Sequence, residues 1–156
     1  MDIGDLQKVY DEEYFQEGAI TGKSCYRNYR WLPEPTIKMA YNIIKYLNLK
    51  ETEKVLDYGC SMGYLVKALR ILDIETFGVD ISDYAIKMAD LEVRDFCGKI
   101  SVNTINPFGV NFDWVMSKDV LEHMEEDAID FFLSDARNFA NKMFHVIPLA
   151  SESGKF

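Results

Sequence analysis

The stretch that decides the fold is Val55-Leu56-Asp57-Tyr58-Gly59-Cys60-Ser61-Met62-Gly63-Tyr64. An apolar run ends at Asp57, two glycines follow four residues apart, and helix-forming residues come next. This order predicts a strand, a tight loop and a helix. Gly59 and Gly63 can adopt positive φ or let another molecule approach the backbone closely. The amides at the start of the helix would face such a molecule, and Asp57 is placed to accept its hydrogen bonds.

The composition predicts one globular core and excludes several kinds of partner. The chain has 156 residues, 48% of them hydrophobic, and a net charge of −9. This acidic charge makes nucleic acid an unlikely partner, because phosphate-binding proteins are usually basic. We expect no membrane partner either, since no apolar run approaches the roughly 20 residues needed to cross a bilayer. Cys25, Cys60 and Cys97 have no paired spacing, which predicts a reduced, cytoplasmic protein.

Residues 1–33 are dense in aromatic side chains and are expected to form a cap or lid on a main domain of residues 34–156. A short helix is expected around residues 5–16, followed by irregular chain. The segment either packs across an open face of the core or closes over a ligand. Its aromatic residues are Tyr10, Tyr14, Phe15, Tyr26, Tyr29 and Trp31.

Helical and strand patterns alternate after residue 33. Helices are expected to begin at Pro33, after Gly63, at the N-cap Ser82 and at Glu125. The strand before the glycine loop is followed by predicted strands at 76–80, 100–104, 112–117 and 144–148. Such alternation predicts an α/β three-layer sandwich with a mostly parallel sheet. The apolar face of the first of these helices is expected to be Ile37, Ala40, Tyr41, Ile44 and Leu47.

Polar residues fall where such a sheet binds its ligands. Ligands lie at the carboxyl ends of parallel strands, near the point where the strand order reverses. Asp57, Asp80 and Ser117 are each placed at such an end by the predicted strands. The sequence therefore predicts a binding crevice at this edge of the sheet.

Two enzyme classes share part of the loop pattern. Gly59-Cys-Ser-Met-Gly63 fits the G-x-S-x-G nucleophile elbow of serine hydrolases. That fold needs strands before the elbow, and only one helix and a loop precede Val55. A dinucleotide-binding dehydrogenase needs G-x-G-x-x-G, and here Ser61 stands at the second glycine. Both alternatives stay open but fit less well than a third.

Three motifs in order resemble those of the class I S-adenosylmethionine-dependent methyltransferases. Residues 57–63 resemble the first motif, and Phe77-Gly-Val-Asp80-Ile-Ser resembles the second. Residues 112–123, FDWVMSKDVLEH, resemble the fourth-strand block. The likeness covers roughly residues 34–148. It implies S-adenosyl-L-methionine as cofactor and a Rossmann-like fold, apparently without the C-terminal strands of the full fold.

The resemblance also implies roles for individual residues. Asp80 suits the ribose diol, because one carboxylate can accept both hydroxyl hydrogens, and Ile81 would lie against the adenine. The backbone of residues 59–63 makes room for the methionine portion, with Asp57 beneath it. Ser61 replaces the family's usual middle glycine, and Asn106 is the candidate for the adenine amine. The expected cofactor-binding residues are Asp57, Gly59, Cys60, Ser61, Gly63, Asp80, Ile81, Asn106, Ser117 and Lys118.

The two histidines receive different expectations. His123, after the fourth strand, is the expected catalytic base or acceptor contact, with a helix-start or packing role as the alternative. His145 is expected to be structural. If this segment is helical, Asp119, Glu122 and His123 share one face of the helix, in a pattern similar to the metal-binding set of some O-methyltransferases. No further ligand stands at a matching position, so we predict no metal.

The sequence thus predicts methyl transfer to an unidentified small-molecule acceptor. The motif for methylating nucleic-acid bases is absent after the fourth strand, where Ser117-Lys-Asp-Val stands. The alternative is a cofactor-binding remnant or regulatory module without transfer activity. The predicted fifth strand would be an apolar edge, which proteins usually cover. We expect a second copy in a homodimer, the N-terminal segment, or a missing C-terminal segment beyond Phe156 to cover it.

Overall fold

The protein is built on a five-stranded parallel sheet, described in a computed structural model for residues 8–100 and 105–148. The strands are β1 Lys54–Tyr58, β2 Glu75–Asp80, β3 Cys97–Lys99, β4 Phe112–Lys118 and β5 Ala140–Val146. Their order across the sheet is β3-β2-β1-β4-β5, and every neighbouring pair is parallel. The order therefore reverses between β1 and β4, which is where such sheets bind ligands.

Helices cover both faces of this sheet. They are α1 Glu12–Gln16, α2 Gly18–Thr21, α3 Pro33–Leu47, α4 Tyr64–Ile71, α5 Asp83–Lys87 and α6 Glu126–Ala136, with 3-10 turns at Arg94–Phe96 and Leu121–His123. Pro33 lies in the first turn of α3, and Ser82 caps α5 by accepting a hydrogen bond from the Ala85 amide at 3.0 Å. No helix in the described ranges is long and apolar enough to cross a membrane.

Adjacent residues of β1 show why the fold has three layers. Val55 and Leu56 are both fully buried, and successive side chains of a strand point to opposite faces. Val55 packs in a cluster with Ala40 of α3 and Leu69 of α4, whereas Leu56 packs in a cluster with Phe132 of α6. The predicted α/β sandwich with its parallel sheet is confirmed.

The expectation for the inner face of α3 is partly wrong. Tyr41 is 51% exposed, and Ile43 is buried in its place. Spacing alone did not distinguish them, because both lie within one turn of the buried Ala40. The α5 helix ends at Lys87. Ala89 and Val93 are nevertheless buried, on the irregular chain that follows.

Two strands begin earlier than the sequence predicted. The third strand is Cys97–Lys99 rather than 100–104, because the 3-10 turn at Arg94–Phe96 delivers Cys97 opposite Gly78 of β2. Residues 102 and 104 of that prediction lie outside the described ranges. The fifth strand begins at Ala140 rather than 144, because it pairs with β4 from Phe112 onward. Asn141 and Lys142, the second and third residues of the strand, are polar and exposed, so apolar patterning did not indicate this part of it.

The described part of the N-terminal segment, residues 8–32, packs beside the glycine loop and α5. The Tyr29 and Tyr64 rings stack with centroids 5.3 Å apart, and the Phe15 and Tyr84 rings do so at 6.0 Å. The Ser82 hydroxyl donates to the Tyr10 carbonyl at 2.5 Å. The expected helix at 5–16 is present as Glu12–Gln16, and residues 5–7 lie outside the described ranges. The expectation that this segment, a second copy of the chain or a missing C-terminal segment covers the fifth strand stays a prediction.

Candidate cofactor site

The loop between β1 and α4 folds so tightly that side chains are excluded at two positions. Gly59 and Gly63 have φ of +84° and +75°. A Cβ atom on Gly59 would lie 2.3 Å from Val120 Cγ2, and one on Gly63 would lie 2.7 Å from Cys97 Sγ. Glycine is therefore required at both positions by conformation and by space. Cys60 between them is buried, and its amide donates to the Val79 carbonyl at 3.0 Å.

Asp80 connects this loop to the end of β2. Its Oδ2 accepts a hydrogen bond from the Ser61 amide at 2.7 Å, and its Oδ1 accepts one from the Ser82 amide at 2.8 Å. The residue is only 9% exposed. Burial raises the pKa of Asp80, while the backbone hydrogen bonds from Ser82, Ser61 and Ile81 oppose that rise. A buried carboxylate is thus fixed between the ends of β1 and β2.

Asp57 is a second buried carboxylate at the same edge, and it is 3% exposed. Burial and, to a smaller extent, the negative charge of Asp80 raise the pKa of Asp57 to about 7, although the charge of Lys118 opposes the shift. Near neutral pH Asp57 therefore holds a proton in part of the molecules. A cation bound beside Asp57 would favour its ionised form.

Ser117 and Lys118 close the end of β4. Ser117 is buried, and its Oγ lies 2.9 Å from His145 Nδ1 on β5. Burial lowers the pKa of the half-buried His145, so its ring is neutral at pH 7. His145 Nε2 has no hydrogen-bond partner among the described residues. The Lys118 ammonium forms an ion pair with Asp119.

Two other predicted cofactor contacts lie toward the β2 side. Ile81 is partly buried and packs against the core cluster that contains Val79. Asn106 organises its own loop, because its Oδ1 accepts from the Phe108 amide at 3.2 Å and its Nδ2 donates to the Val110 carbonyl at 2.8 Å. Any contact of Asn106 with adenine would have to share these groups, and this role stays a prediction.

His123 lies on the short 3-10 turn after β4, and its side chain is 37% exposed. Its Nε2 is 3.9 Å from Glu122 Oε1, which is too long for a hydrogen bond. Asp119 precedes the turn and has a φ of +55°. The condition for Asp119, Glu122 and His123 to share one helix face is therefore not met, because the 3-10 turn begins only at Leu121.

Two tyrosines of the N-terminal segment lie close to the site, although the sequence did not assign them to it. Burial raises the pKa of Tyr10, and the charges of Asp80 and Glu122 raise it further. Burial also raises the pKa of Tyr29 to about 12, and Tyr29 is near Ser61. The aromatic density of residues 1–33 was the signal in the sequence that could have indicated that these two tyrosines lie beside the site.

The sequence comparison identifies the family. A family model described as a methyltransferase domain matches residues 56–142, which is more than half of the chain. The chain belongs to this methyltransferase-domain family. The family resemblance stated from the three motifs is confirmed, and the hydrolase and dehydrogenase alternatives are set aside. No curated protein matches the chain.

Solved methyltransferases share the fold of this domain. A glycopeptide N-methyltransferase, MtfA, solved with S-adenosyl-L-methionine, superposes with a TM-score of 0.55 at 16% identity, over 68% of this chain and 50% of MtfA. Coclaurine N-methyltransferase, bound to N-methylheliamine and S-adenosylhomocysteine, superposes with a TM-score of 0.56 at 16% identity, over 90% of this chain and 43% of that enzyme. The chain spans about half the length of these proteins or less. At such identity the likeness establishes the fold alone.

Proposed function

We propose that this domain binds S-adenosylmethionine at the carboxyl ends of β1, β2 and β4 and transfers its methyl group to a small-molecule acceptor. The observation that carries the proposal is the junction of the glycine loop with Asp80. There the Ser61 amide donates to the buried Asp80 carboxylate at 2.7 Å, within a tight loop in which Gly59 and Gly63 both have positive φ.

The residues present fit this cofactor. Each oxygen of Asp80 accepts one backbone hydrogen bond, and a carboxylate oxygen has a further lone pair for a ribose hydroxyl. Asp57 is buried with a raised pKa, so it gains from a cationic neighbour such as the ammonium of the methionine portion. The loop backbone at residues 59–63 makes room for that portion. Cys60, Gly63, Ile81, Asn106, Ser117 and Lys118 belong to the proposed site as well.

The protein's part in the reaction is mainly to position the reactants. When bound, the cofactor supplies a methyl group on a sulfonium, which is already an activated leaving group. The crevice then has to hold the acceptor in line with that methyl group. His123 is the proposed base, and it would take a proton only from an acceptor that must lose one. Residues 8–32 are the proposed lid, because their aromatic side chains exclude water beside the loop.

Two considerations support a small-molecule acceptor. The net charge of −9 disfavours a nucleic-acid substrate. The similar structures include enzymes named for a glycopeptide and for coclaurine, each bearing the acceptor nitrogen in its name. The acceptor proposed for this chain is therefore a small molecule, and the atom of it that receives the methyl group is left open.

Mass spectrometry and calorimetry test the proposal. The purified protein should carry S-adenosylmethionine or S-adenosylhomocysteine, or bind the latter in a titration. Failure to bind either compound would contradict the proposal. Binding without methyl transfer to any acceptor would favour the alternative, a cofactor-binding or regulatory module.

We propose further that β5 is covered in the working protein. In the described sheet β5 pairs with β4 alone, and an apolar edge such as Met143 and Phe144 is a site of association. A second copy of the chain or the aromatic N-terminal segment would supply the cover. Light scattering should then show a dimer, or a monomer whose β5 amides are protected from hydrogen exchange. Unprotected amides in a monomer would contradict this.

The free Cys25, Cys60 and Cys97 fit the proposed cytoplasmic location.

A further inference from the structure

Two cysteines from different elements lie side by side at the glycine loop. Cys60 is buried, and its side chain rests on Gly78 of β2, because a Cβ atom on Gly78 would lie 2.6 Å from Cys60 Cβ and 2.7 Å from Cys60 Sγ. Cys97, the first residue of β3, is the residue that pairs with Gly78 across the two strands. Cys97 also packs against the hydrophobic cluster that contains Cys60 and Val66. The two thiols therefore share one small space.

The two thiols differ in how well an oxidant could reach them. Both are free, and Cys60 is 5% exposed, whereas Cys97 is only partly buried and its Sγ lies 2.7 Å from where a Cβ atom on Gly63 would be. Burial raises the pKa of Cys60, and the neighbouring Cys97 raises it further. An accessible cysteine beside a second, resolving cysteine is the arrangement of redox-sensing pairs. In reduced compartments the disulfides that do form are usually transient ones of this kind.

We propose that hydrogen peroxide joins Cys60 and Cys97 in a reversible disulfide that displaces the glycine loop and weakens cofactor binding. The effect on binding rests on the proposed function. The Cys97 sulfur attacks one peroxide oxygen, the O–O bond breaks, and a sulfenic acid and one water form. The Cys60 sulfur then attacks the Cys97 sulfur, the S–O bond breaks, and hydroxide leaves as water with the Cys60 proton. Two thiols are thus oxidised, and one peroxide is reduced to two waters.

The β3 side of this pair is held firmly by its neighbours. Phe96, directly before Cys97, lies under the Arg70 guanidinium, whose Cζ is 3.4 Å from the ring centroid. Gly98, directly after Cys97, fits closely under Pro107, because a Cβ atom on Gly98 would lie 2.9 Å from Pro107 Cγ. Cys97 is therefore fixed from both sides along the chain.

The glycine loop should move instead when the bond forms. A disulfide holds its sulfur atoms about 2.05 Å apart, closer than two unbonded sulfur atoms can approach. The bond should therefore pull Cys60 toward β3. The Cys60 amide donates to the Val79 carbonyl at 3.0 Å, and the next amide, that of Ser61, donates to Asp80 Oδ2 at 2.7 Å. Moving Cys60 should weaken both hydrogen bonds and release the carboxylate that the proposed function places on the ribose.

Mass spectrometry of the full chain after treatment with hydrogen peroxide tests whether the bond forms. The intact mass should fall by two hydrogen atoms, and a digest without reductant should contain a peptide pair joined through Cys60 and Cys97. Dithiothreitol should restore the original mass. Linkage through Cys25, or oxidation of Cys97 to a sulfinic acid without any linkage, would overturn the inference.

Titration calorimetry with S-adenosylhomocysteine tests the effect on the site. The cross-linked wild type should bind about ten- to a hundredfold more weakly than the reduced protein, the usual loss when a hydrogen bond to a charged group is broken. Cys97→Ala should bind equally well before and after peroxide, because Cys97 lies outside the proposed cofactor contacts. Cys25→Ser is the matched control, since Cys25 is an exposed cysteine of the proposed lid, and it should respond as the wild type does. An unchanged affinity in the cross-linked wild type would overturn the inference.

Hydrogen exchange of the Ser61 amide separates this inference from the proposed function, because it needs no ligand. The amide should exchange faster in the cross-linked protein than in the reduced protein. An exchange rate that the cross-link leaves unchanged would overturn the inference. If the reduced wild type does not bind S-adenosylhomocysteine, the proposed function itself fails, and the cross-linked peptide and the exchange rate still decide whether the cysteine pair moves the loop.

Discussion

Replacing Asp57 by Asn should remove the pH dependence of cofactor binding between about pH 5 and 8. The pKa of Asp57 is raised to about 7, so about half of the molecules carry its proton at pH 7 before a ligand binds. A ligand ammonium beside Asp57 favours the ionised carboxylate. Binding of S-adenosylhomocysteine to the wild type should therefore release about half a proton at pH 7, and affinity should fall about tenfold per pH unit below that.

The same substitution should change the pH dependence of stability. An unfolded Asp titrates near its usual value of 3.8, and folded Asp57 titrates near 7. The folded state binds more protons between these values, so this residue lowers the free energy of unfolding as pH rises through the window. The Asp57→Asn variant lacks this pH-dependent decrease in the free energy of unfolding. At pH 8 it should be more stable than the wild type by roughly 4 kcal/mol, and the difference should shrink toward pH 4.

Titration calorimetry at pH 7, in two buffers that differ in ionisation enthalpy, counts the released protons. Asp57→Asn should release none. Asp113→Asn is a matched control, because Asp113 accepts a hydrogen bond from the Lys54 amide at the start of β1, far from the crevice, and it should release as many protons as the wild type. Equal release by wild type and Asp57→Asn would show that another group titrates and would refute this reasoning.

Three further substitutions test other parts of the structure. Asp80→Ala should lower the affinity for S-adenosylhomocysteine on the order of a hundredfold by calorimetry, because two charge-assisted hydrogen bonds are lost; an unchanged affinity would remove Asp80 from the site. His123→Asn should lower turnover on an identified acceptor by roughly 10²–10⁴ with little change in cofactor affinity; near-normal turnover would leave His123 a packing role. Lys67→Met should lower the free energy of unfolding by about 1–3 kcal/mol in denaturant titrations, because the buried Lys67 ammonium pairs with the mostly buried Asp90 at 3.0 Å; wild-type stability would show that this ion pair contributes nothing.

The sequence predicted the glycine loop and its acids well because local chemistry determines them. Gly59 and Gly63 must adopt positive φ wherever this loop forms, and their spacing is visible in the sequence. Asp57 and Asp80 are placed at strand ends by the apolar runs that precede them. Parallel pairing of β1 with β2 then brings the two carboxylates together. No long-range information beyond the strand order was needed for that part of the site.

Other features depended on contacts that patterning does not reveal. The start of β3 at Cys97 is determined by pairing with Gly78 on another strand. The spacing of Asp119 and His123 is that of one helix face. Asp119 has a positive φ, however, so a right-handed helix does not continue from it into the 3-10 turn that contains His123. The place of Tyr10 and Tyr29 beside the acids depends on how the cap docks, and composition indicated only that the segment is aromatic.

The proposed lid, residues 8–32, and the buried acids of the crevice should affect one another, because the lid would keep water away from the carboxylates. Burial of Tyr10 and Tyr29 accompanies the low exposure of Asp57 and Asp80. A carboxylate removed from water is unfavourable unless it is protonated or paired. Asp57 meets this condition by holding a proton, and pairing with a cationic ligand would meet it with the carboxylate ionised. Because alkaline pH removes the proton, the packing of the proposed lid on the crevice should be least stable at high pH without the cofactor. The cofactor's ammonium should stabilise that packing most at high pH.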